Sequence, residues 1–550
     1  MTGSAVPTAA DGATVTIDGV AGPAPLGQSL FDWAESRGIA VPTSCHKQGK
    51  CRECLVEIES GAEFLSELAD QESHLEGAFR LACRTRVTAP GEVRAHTLRR
   101  GSMRIETTSS ADHDECVAVD PAVTRHGARI LLDGAPIAES AGLIHGLALD
   151  LGTTTVALRL HDLETGRLVA TRSFENPQRF GGSNVMSRIH YDGAHRGRLL
   201  QRTLLGYLTH AIESLAVDPA TIYELVVAGN PTMRDLLFGL DVQGLGVLPY
   251  RSVTEAAVGE GRAATTSLVS TAKKLRLPVH PAARIYGLPL VGSHVGADAA
   301  ACLLATGMAE NSGICALLDI GTNTEAFFGN ADRMLAASCP AGPAFEGGGV
   351  GCGMPALDGA IERVALDDDG AMRIEIVGDA APAGICGSGL VDLMSELRRT
   401  GRMNGQGRYV ESDQPITLDA RGRVSVSEAD VNELAQAKGA NAAGLRVLAD
   451  EYGVGLDRVD RLYLAGGFAR HLDVDAACRI GLIPDLPRDR IVKVGNAALA
   501  GASIALLSRS RRADLEAIVR RVELVRLEAH PQFFDFFVQG CQFEPFGAAA

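Results

Sequence analysis

The chain has 550 residues, 46% of them hydrophobic, and 62 glycines, which predicts about three or four domains with substantial cores and many tight turns. Its formal net charge of −15 argues against binding to the phosphate backbone of nucleic acids. It has no apolar run of about 18 residues and no basic segment followed by an apolar one at its start, so we expect neither a transmembrane helix nor a signal peptide.

The first predicted domain covers residues 13–96 and follows an N-terminus, residues 1–12, that we expect to be disordered. Apolar alternation in TVTIDGV (14–20) predicts a strand, GQSLFDWAESRGI (27–39) predicts a helix, and CLVEIESG (54–61) predicts a second strand. This order is a β-grasp pattern with a long loop between the helix and the second strand. Acidic side chains outnumber basic ones in this domain, which predicts a mildly acidic surface.

Four cysteines dominate this domain. Cys45, Cys51 and Cys54 have the spacing C-x5-C-x2-C, and Cys83 follows in RLACRTRV. Without a signal peptide the expected compartment is the cytoplasm, where clustered cysteines more often bind metal than form disulfides. Three nearby thiolates and one distant thiolate suit a 2Fe-2S cluster. Zinc, which prefers two C-x2-C pairs, and plain structural thiols are the alternatives. The spacing resembles that of adrenodoxin-type ferredoxins.

Residues 97–145 form a predicted linker, polar and rich in turns, with one short apolar piece, ARILL. Two similar segments follow it, LALDLGTTTVALRL and CALLDIGTNTEAFFGN, and each reads as strand, tight turn, strand. A Gly turn between two strands lets phosphate approach backbone N–H groups, Thr hydroxyls add donors, and an Asp at the strand end can hold Mg²⁺. The predicted phosphate and Mg²⁺ residues are Asp150, Gly152, Thr153, Thr154, Asp319, Gly321, Thr322 and Asn323.

Each segment opens a predicted α/β half, over residues 146–310 and 311–508, and residues 509–550 form a C-terminal extension. In the first half, Asn230 and Pro231 are predicted to cap a helix. In the second half, Gly387, Ser388 and Gly389 begin a helix whose N–H groups could face phosphate, although close helix packing is the alternative for the two glycines. Gly466 and Gly467 in AGGF would let a base or ribose lie against the backbone.

The paired D-x-G-T loops and AGGF resemble the superfamily of acetate and sugar kinases, heat-shock chaperones and actin. The implied fold is α/β and multidomain: a β-grasp ferredoxin, a linker, and a bilobal actin-like ATPase built from duplicated ribonuclease H-like halves. Together with the ferredoxin, the segments AGPAFEGG (341–348) and GICGSGL (384–390) resemble those of ATP-dependent reductive activators of corrinoid proteins. This resemblance covers about residues 13–508.

The resemblance implies an ATP-hydrolysing activase that returns the cobalamin-type cobalt of a corrinoid protein from Co(II) to Co(I). The electron would come from an upstream donor through the 2Fe-2S cluster. Asp150 and Asp319 would flank Mg²⁺, the Gly-Thr loops would hold the phosphates of ATP, and Gly466 and Gly467 would hold adenosine. Glu346 would position water, and Lys438 would reach ribose or phosphate unless it lies on a solvated helix face. A homodimer is expected, with neither nucleic acid nor membrane as a partner.

Three other functions compete with this interpretation. A small-metabolite kinase fused to a redox-sensing ferredoxin would phosphorylate an acceptor, but no acceptor-site base is evident in the sequence. Activators of dehydratases share one four-iron cluster between two subunits and have a shorter ATPase half, which disagrees with the separate two-iron domain here. A binding module without turnover is disfavoured because both Asp–Gly–Thr loops are intact.

Overall fold

The computed structural model describes residues 12–98, 118–367, 371–411 and 413–547. The expectation for the N-terminus therefore lies outside the described residues, except at Gly12, which begins the first strand. In the described ranges, none of the helices combines the length and apolarity that crossing a bilayer requires.

The N-terminal domain is a five-stranded sheet in the order β2-β1-β5-β3-β4, covered by one helix. Its elements are β1 (Gly12–Ile17), β2 (Val20–Pro25), α1 (Leu30–Glu35), β3 (Leu55–Ser60), β4 (Phe79–Leu81) and β5 (Glu92–Thr97). Strands β1 and β5 are parallel and the other pairs are antiparallel, as the β-grasp pattern requires. The helix is shorter than predicted because Ser29 caps its first turn and Gly38, at φ 74°, turns the chain beyond it.

The predicted linker is only partly a linker. Its second part folds into a three-stranded antiparallel sheet: β6 (Val123–His126), β7 (Arg129–Leu132) and β8 (Ala135–Glu139). Val123 and Ile130 are fully buried in a core shared with the first ATPase half. The linker prediction is therefore wrong for these residues, because alternating apolar side chains give the sheet a face to bury. Residues 99–117 lie outside the described part.

The first ATPase half is a six-stranded sheet in the order β11-β10-β9-β12-β14-β13, with helices packed around it. Its strands are β9 (His145–Leu151), β10 (Thr155–Asp162), β11 (Leu168–Glu175), β12 (Ile222–Gly229), β13 (Leu268–Thr271) and β14 (Arg284–Gly287). Its helices are α2 (Val185–Ala194), α3 (Leu199–Glu213), α4 (Pro231–Phe238), α5 (Val253–Gly259), α6 (Ala272–Leu275) and α7 (Ala297–Thr306).

The second half repeats this design in a sheet with the order β24-β23-β15-β16-β17-β25. The strands of this sheet are β15 (Cys315–Ile320), β16 (Thr324–Gly329), β17 (Met334–Cys339), β23 (Arg461–Ala465), β24 (Ile491–Gly495) and β25 (Val522–Leu524). The other strands of the second half form two smaller sheets: β18 (Ala360–Leu366), β19 (Met372–Ile376) and β20 (Gly384–Ile385), and β21 (Ile416–Thr417) with β22 (Ser425–Val426). Its helices are α8 (Gly387–Arg399), α9 (Glu428–Tyr452), α10 (Gly467–His471), α11 (Val474–Arg479), α12 (Ala497–Leu507), α13 (Arg509–Val519) and α14 (Phe533–Gly540).

The two halves are topological duplicates. In the first, β9 pairs antiparallel with β10 and parallel with β12; in the second, β15 pairs antiparallel with β16 and parallel with β23. The two phosphate loops are thus the β9–β10 and β15–β16 turns. The predicted C-terminal extension is built into the second half, because β25 pairs with β17 and α14 packs on α9.

The halves exchange their terminal helices. One face of α7 packs with the sheet of the second half, through Cys302 and Leu303, whereas α12 packs against the sheet of the first half, through Ala502 and Leu506. The helices also pack on each other, and Gly501 permits this, since a Cβ there would lie 2.0 Å from the carbonyl oxygen of Ala301.

The ferredoxin domain packs against the first ATPase half, and the two share one continuous hydrophobic core. Three polar contacts cross the junction: His210 Nε2 to Glu53 Oε2 at 3.1 Å, Arg179 Nη2 to Glu57 Oε2 at 3.4 Å, and the Tyr191 hydroxyl to the His74 carbonyl at 2.5 Å. Glu53 lies between Cys51 and Cys54, so helix α3, which carries His210, contacts the cysteine loop itself.

Candidate functional site

The fold brings the four predicted cluster cysteines together. Cys45 and Cys51 lie on the loop between α1 and β3, Cys54 immediately precedes β3, and Cys83 follows β4. Because β3 and β4 are paired, the Sγ atoms of Cys54 and Cys83 lie 3.3 Å apart. Cys45 and Cys51 lie near each other, since each thiol affects the pKa of the other, and the two pairs are close enough for their charges to interact.

Loop amide groups favour thiolates in this site. Burial would raise the pKa of the Cys45 thiol, but loop N–H groups and the Cys51 thiol outweigh it and lower the pKa to about 7. The hydrogen bond from Cys54 lowers the pKa of Cys83 and raises the pKa of Cys54. Gly49, at φ 72°, gives the loop its turn.

Two adjacent thiol pairs fit two iron atoms with two thiolates each. Among the described residues, no three His, Cys, Asp or Glu side chains are arranged to hold a single metal ion.

The second site is a cleft between the two ATPase halves. Both predicted phosphate loops line it, and so does the AGGF turn. From the predicted set, the lining residues are Asp150, Gly152, Thr153, Thr154, Asp319, Gly321, Thr322, Asn323, Glu346, Gly466 and Gly467. At Gly466, φ is 95° and a Cβ would lie 2.4 Å from the Ile320 carbonyl oxygen, so only glycine lets the turn approach the second loop.

Glu346 connects the two phosphate loops. Its Oε2 accepts a hydrogen bond from Thr154 Oγ1 at 3.0 Å and a short one from Thr322 Oγ1. Burial raises the pKa of this carboxyl group, and the threonine hydrogen bonds oppose that shift. One carboxylate therefore contacts equivalent loops of both halves.

The floor of the cleft is acidic. Burial and the neighbouring Asp319 raise the pKa of Asp298 to about 7, and burial also raises the pKa values of Asp319 and Glu325. The residues that line the cleft include no lysine or arginine. Carboxylates that lack a basic partner are costly to ionise, and a divalent cation that binds oxygen ligands would offset that cost.

An apolar pocket adjoins the cleft, and the residues common to both include Thr154, Glu346 and Gly467. The rings of Phe345 and Phe468 stack there with centroids 5.1 Å apart. The remaining lining residues are Thr155, Ile320, Met354, Pro355, Ala356, Cys386, Gly387, Ser388 and His471. A flat apolar ligand fits this lining better than a phosphate does.

The three residues predicted at the start of α8 do not all line a pocket. Gly387 and Ser388 line the apolar pocket, whereas Gly389 does not appear in either pocket. A Cβ at Gly389 would lie 2.3 Å from the Ile361 carbonyl oxygen, so this glycine is required for close packing of the helix on β18.

The adenosine prediction for Lys438 is wrong. The residue is fully buried in the middle of α9, and its amine donates to the carbonyl oxygens of Gly540, at 2.5 Å, and Gln542. The Phe543 ring lies 4.9 Å from the same amine. Gly540 is the last residue of α14, where a helix lacks internal donors, and Gln542 lies just beyond it, so Lys438 holds the C-terminal helix against α9.

Sequence reasoning missed several residues at the cleft: Asn230, Asp298, Glu325 and Asn496. Asn230 and Asn496 follow Gly at the ends of β12 and β24 and cap α4 and α12, as a Gly-Asn pair between strand and helix could have indicated. Asn496 also donates its amide to Asp150 Oδ2 at 2.9 Å, so a helix cap orients a carboxylate of the first phosphate loop.

Three family models match consecutive parts of the chain. They are described as the 2Fe-2S iron-sulfur cluster binding domain (residues 14–88), the RACo middle region (145–311), and the C-terminal domain of RACo, the ASKHA domain (313–548).

The chain is 27% identical to the corrinoid activation enzyme RamQ of Eubacterium limosum, over 94% of this chain and 96% of that protein. It is 25% identical to the [Co(II) methylated amine-specific corrinoid protein] reductase of Methanosarcina barkeri, over 69% of this chain and 73% of that protein. A solved structure, a reductive activator for corrinoid, iron-sulfur protein, matches with a TM-score of 0.70 and 26% identity, over 97% of this chain and 98% of that one. With a 2Fe-2S domain ahead of both RACo regions, the chain belongs to the RACo-type family of reductive activators.

Proposed function

We propose that this protein couples ATP hydrolysis to the one-electron reduction of a corrinoid protein, from Co(II) to Co(I), through a 2Fe-2S cluster. The observation that carries the proposal is that, in one chain, a domain with four clustered thiols packs against the first half of a duplicated fold whose two equivalent loops line one cleft. Relatives named for corrinoid activation match this chain along nearly its whole length, which favours the activator over a metabolite kinase.

The energetic task is to move an electron uphill. The bound cluster supplies a one-electron store, typically near −400 mV in plant-type ferredoxins. Each 100 mV by which the cobalt couple lies lower costs about 2.3 kcal/mol. ATP can offset such a gap if its binding and hydrolysis favour the protein complex in which cobalt is more easily reduced.

In this proposal the two phosphate loops hold the phosphates of ATP between the halves. The Thr154 and Thr322 hydroxyls, which now contact Glu346, turn to the phosphates, and the freed carboxylate orients the attacking water. Asp150 and Asp319 hold Mg²⁺ directly or through water, and Asp298 adds negative charge nearby. The apolar pocket between Phe345 and Phe468 receives the adenine base.

The finer assignments are also proposals. The corrinoid protein is the electron acceptor, a separate protein is the donor, and the active form is a cytoplasmic homodimer. We propose residues 13–96 as the electron-carrying unit and residues 146–508 as the nucleotide-binding unit.

The test is anaerobic mixing of the reduced protein with a Co(II) corrinoid protein, with and without Mg-ATP, while the Co(I) absorbance band is followed. We expect Co(I) only with ATP, and its loss in Cys54→Ala and Asp319→Asn, whereas Cys478→Ala, at a buried thiol outside both sites, retains activity. Phosphorylation of a small metabolite, with no Co(I) formed by several corrinoid proteins, would instead identify a redox-linked kinase.

A further inference from the structure

The rim of the cysteine loop is basic, although the chain as a whole is acidic. Residues 44–52 include Lys47, Lys50 and Arg52 and no carboxylate, and the next residue, Glu53, is buried and turned toward His210. The segment that carries Cys45 and Cys51 is therefore basic in sequence, and most carboxylates of the domain belong to other segments, from which Asp32 and Glu35 reach Lys47.

Three cations near the cysteines, Lys50, Arg52 and Arg84, have no carboxylate partner among the described residues. Lys47 is neutralised by Asp32 and Glu35, each at 2.7 Å. Lys50 is exposed, and neither it nor Arg52 forms an ion pair within the described part of the chain. Arg84, which follows Cys83, packs against Gly49 and is likewise without an ion-pair partner there.

The ATPase half extends this basic rim. Arg202 is exposed on α3, on the same helix face as Gly206 and His210, which meet Glu53, and its charge disfavours that of Arg52. Lys50, Arg52, Arg84 and Arg202 thus form one surface across the junction of the two domains, which we call the basic rim. Like charges held together without counter-charges repel, and an acidic partner surface would relieve that repulsion.

We propose that the basic rim is the docking surface for an acidic one-electron carrier protein that reduces the cluster. This inference rests on the proposed function and names the chemistry of its donor. One electron leaves the reduced centre of the carrier and enters the oxidised cluster, and no atom is transferred. Cys45 and Cys51, the ligands nearest the rim, are partly exposed, whereas Cys54 and Cys83 are buried, so a docked carrier would come close to the cluster.

The charged character of the basic rim favours the electron donor, and not the corrinoid protein, as the protein that binds there. An electron carrier must bind, deliver and leave quickly, and small charged interfaces suit such brief encounters because long-range attraction raises the association rate. The corrinoid protein must instead stay bound while ATP acts, which calls for a larger interface.

The test measures how fast the oxidised protein, with its cluster, is reduced in a stopped-flow instrument. The protein probe is an acidic flavodoxin in its hydroquinone form, and the uncharged probe is photoreduced 5-deazariboflavin. The variants are Lys50→Glu with Arg202→Glu, and Arg202→Glu alone, which changes only an ATPase helix. Lys274→Glu, an exposed lysine on α6 outside the rim, is the matched control.

We expect the flavodoxin rate constant of the double variant to fall about tenfold or more at low salt, with a smaller fall for Arg202→Glu. Added salt should slow the parent protein and have little effect on the double variant, while the deazaflavin rates and the cluster spectrum stay unchanged. Equal flavodoxin rates and equal salt dependence in parent and variants would overturn the proposal.

A second outcome would reassign the surface. If the double variant is reduced normally by flavodoxin but, once reduced, no longer forms Co(I) with a corrinoid protein, the rim binds the corrinoid protein and not the donor. Failure of the parent protein to form Co(I) at all would refute the proposed function. That outcome is separate from failure of the docking proposal, because the kinetics of cluster reduction need neither ATP nor a corrinoid protein.

Discussion

Replacement of Glu346 by Gln tests the proposed ATP chemistry most directly. The substitution retains an oxygen that can accept from Thr154 and Thr322, so the contact between the two phosphate loops can persist. It removes the negative charge and the capacity to take a proton from water. Loss of a positioned general base typically costs a factor of about 10² to 10⁴, which equals about 2.7 to 5.4 kcal/mol in the barrier.

The affinity of the Glu346→Gln variant for ATP should not fall along with its rate of hydrolysis. A carboxylate about 4 Å from a phosphate charge repels it by about 4 kcal/mol at an effective dielectric constant of 20, before Mg²⁺ screens the pair. Glu346→Gln should therefore bind ATP as tightly as the parent protein or more tightly. Burial raises the pKa of Glu346, so hydrolysis by the parent protein should increase with pH as this carboxyl group loses its proton.

The assay is phosphate release at saturating Mg-ATP, with ATP affinity measured separately by fluorescence titration. Glu139→Gln, an exposed carboxylate on β8, is the control and should match the parent. A kcat within about threefold of the parent value would refute the role of Glu346 in hydrolysis. A parallel loss of kcat and affinity would indicate that the residue only holds the cleft together.

Three further predictions concern the scaffold. Lys438→Met leaves the carbonyl oxygens of Gly540 and Gln542 without a donor, so the free energy of unfolding should fall by about 1–3 kcal/mol while ATP affinity is unchanged. Weakened ATP binding with no loss of stability would instead support the predicted contact with adenosine. Burial and the nearby Arg52 charge lower the pKa of His74 to about 4, so the unfolded chain binds more protons as pH decreases from about 6.5 to about 4. Stability should therefore decline over that interval, and an equal decline in His74→Gln, measured by urea unfolding, would contradict this. Gly501→Val forces a side chain against Ala301 and should abolish soluble expression, unlike Gly259→Val, where nothing lies within 4 Å.

The fold class could be predicted because its signals are local. The cysteine spacing and the two D-x-G-T turns each depend on a few adjacent residues, and the structure places them on the loop and the turns expected. The sheet at residues 123–139 was missed although His126-Gly127 and Asp133-Gly134 mark its two turns, with both glycines at positive φ. A polar, turn-rich composition obscured the short alternating runs between them.

Long-range contacts explain the remaining errors. The role of Lys438 depends on α14, which lies about one hundred positions later in the chain, and no local pattern indicates which helix will cover another. Asp298 lines the cleft because α7 crosses to the other half, which a helical pattern alone does not reveal. The basic rim likewise combines Lys50 with Arg202, which only the docked arrangement of the two domains brings near each other.

The exchange of α7 and α12 also constrains how the protein is made. During synthesis, the sheet of the first half emerges from the ribosome long before residues 497–507, whose side chains complete its core. The nascent chain must therefore hold an unfinished apolar face while some two hundred further residues are added, and such faces are prone to aggregate. A chaperone that shields this face until α12 arrives would raise the yield of folded protein, and neither half should fold well when expressed alone.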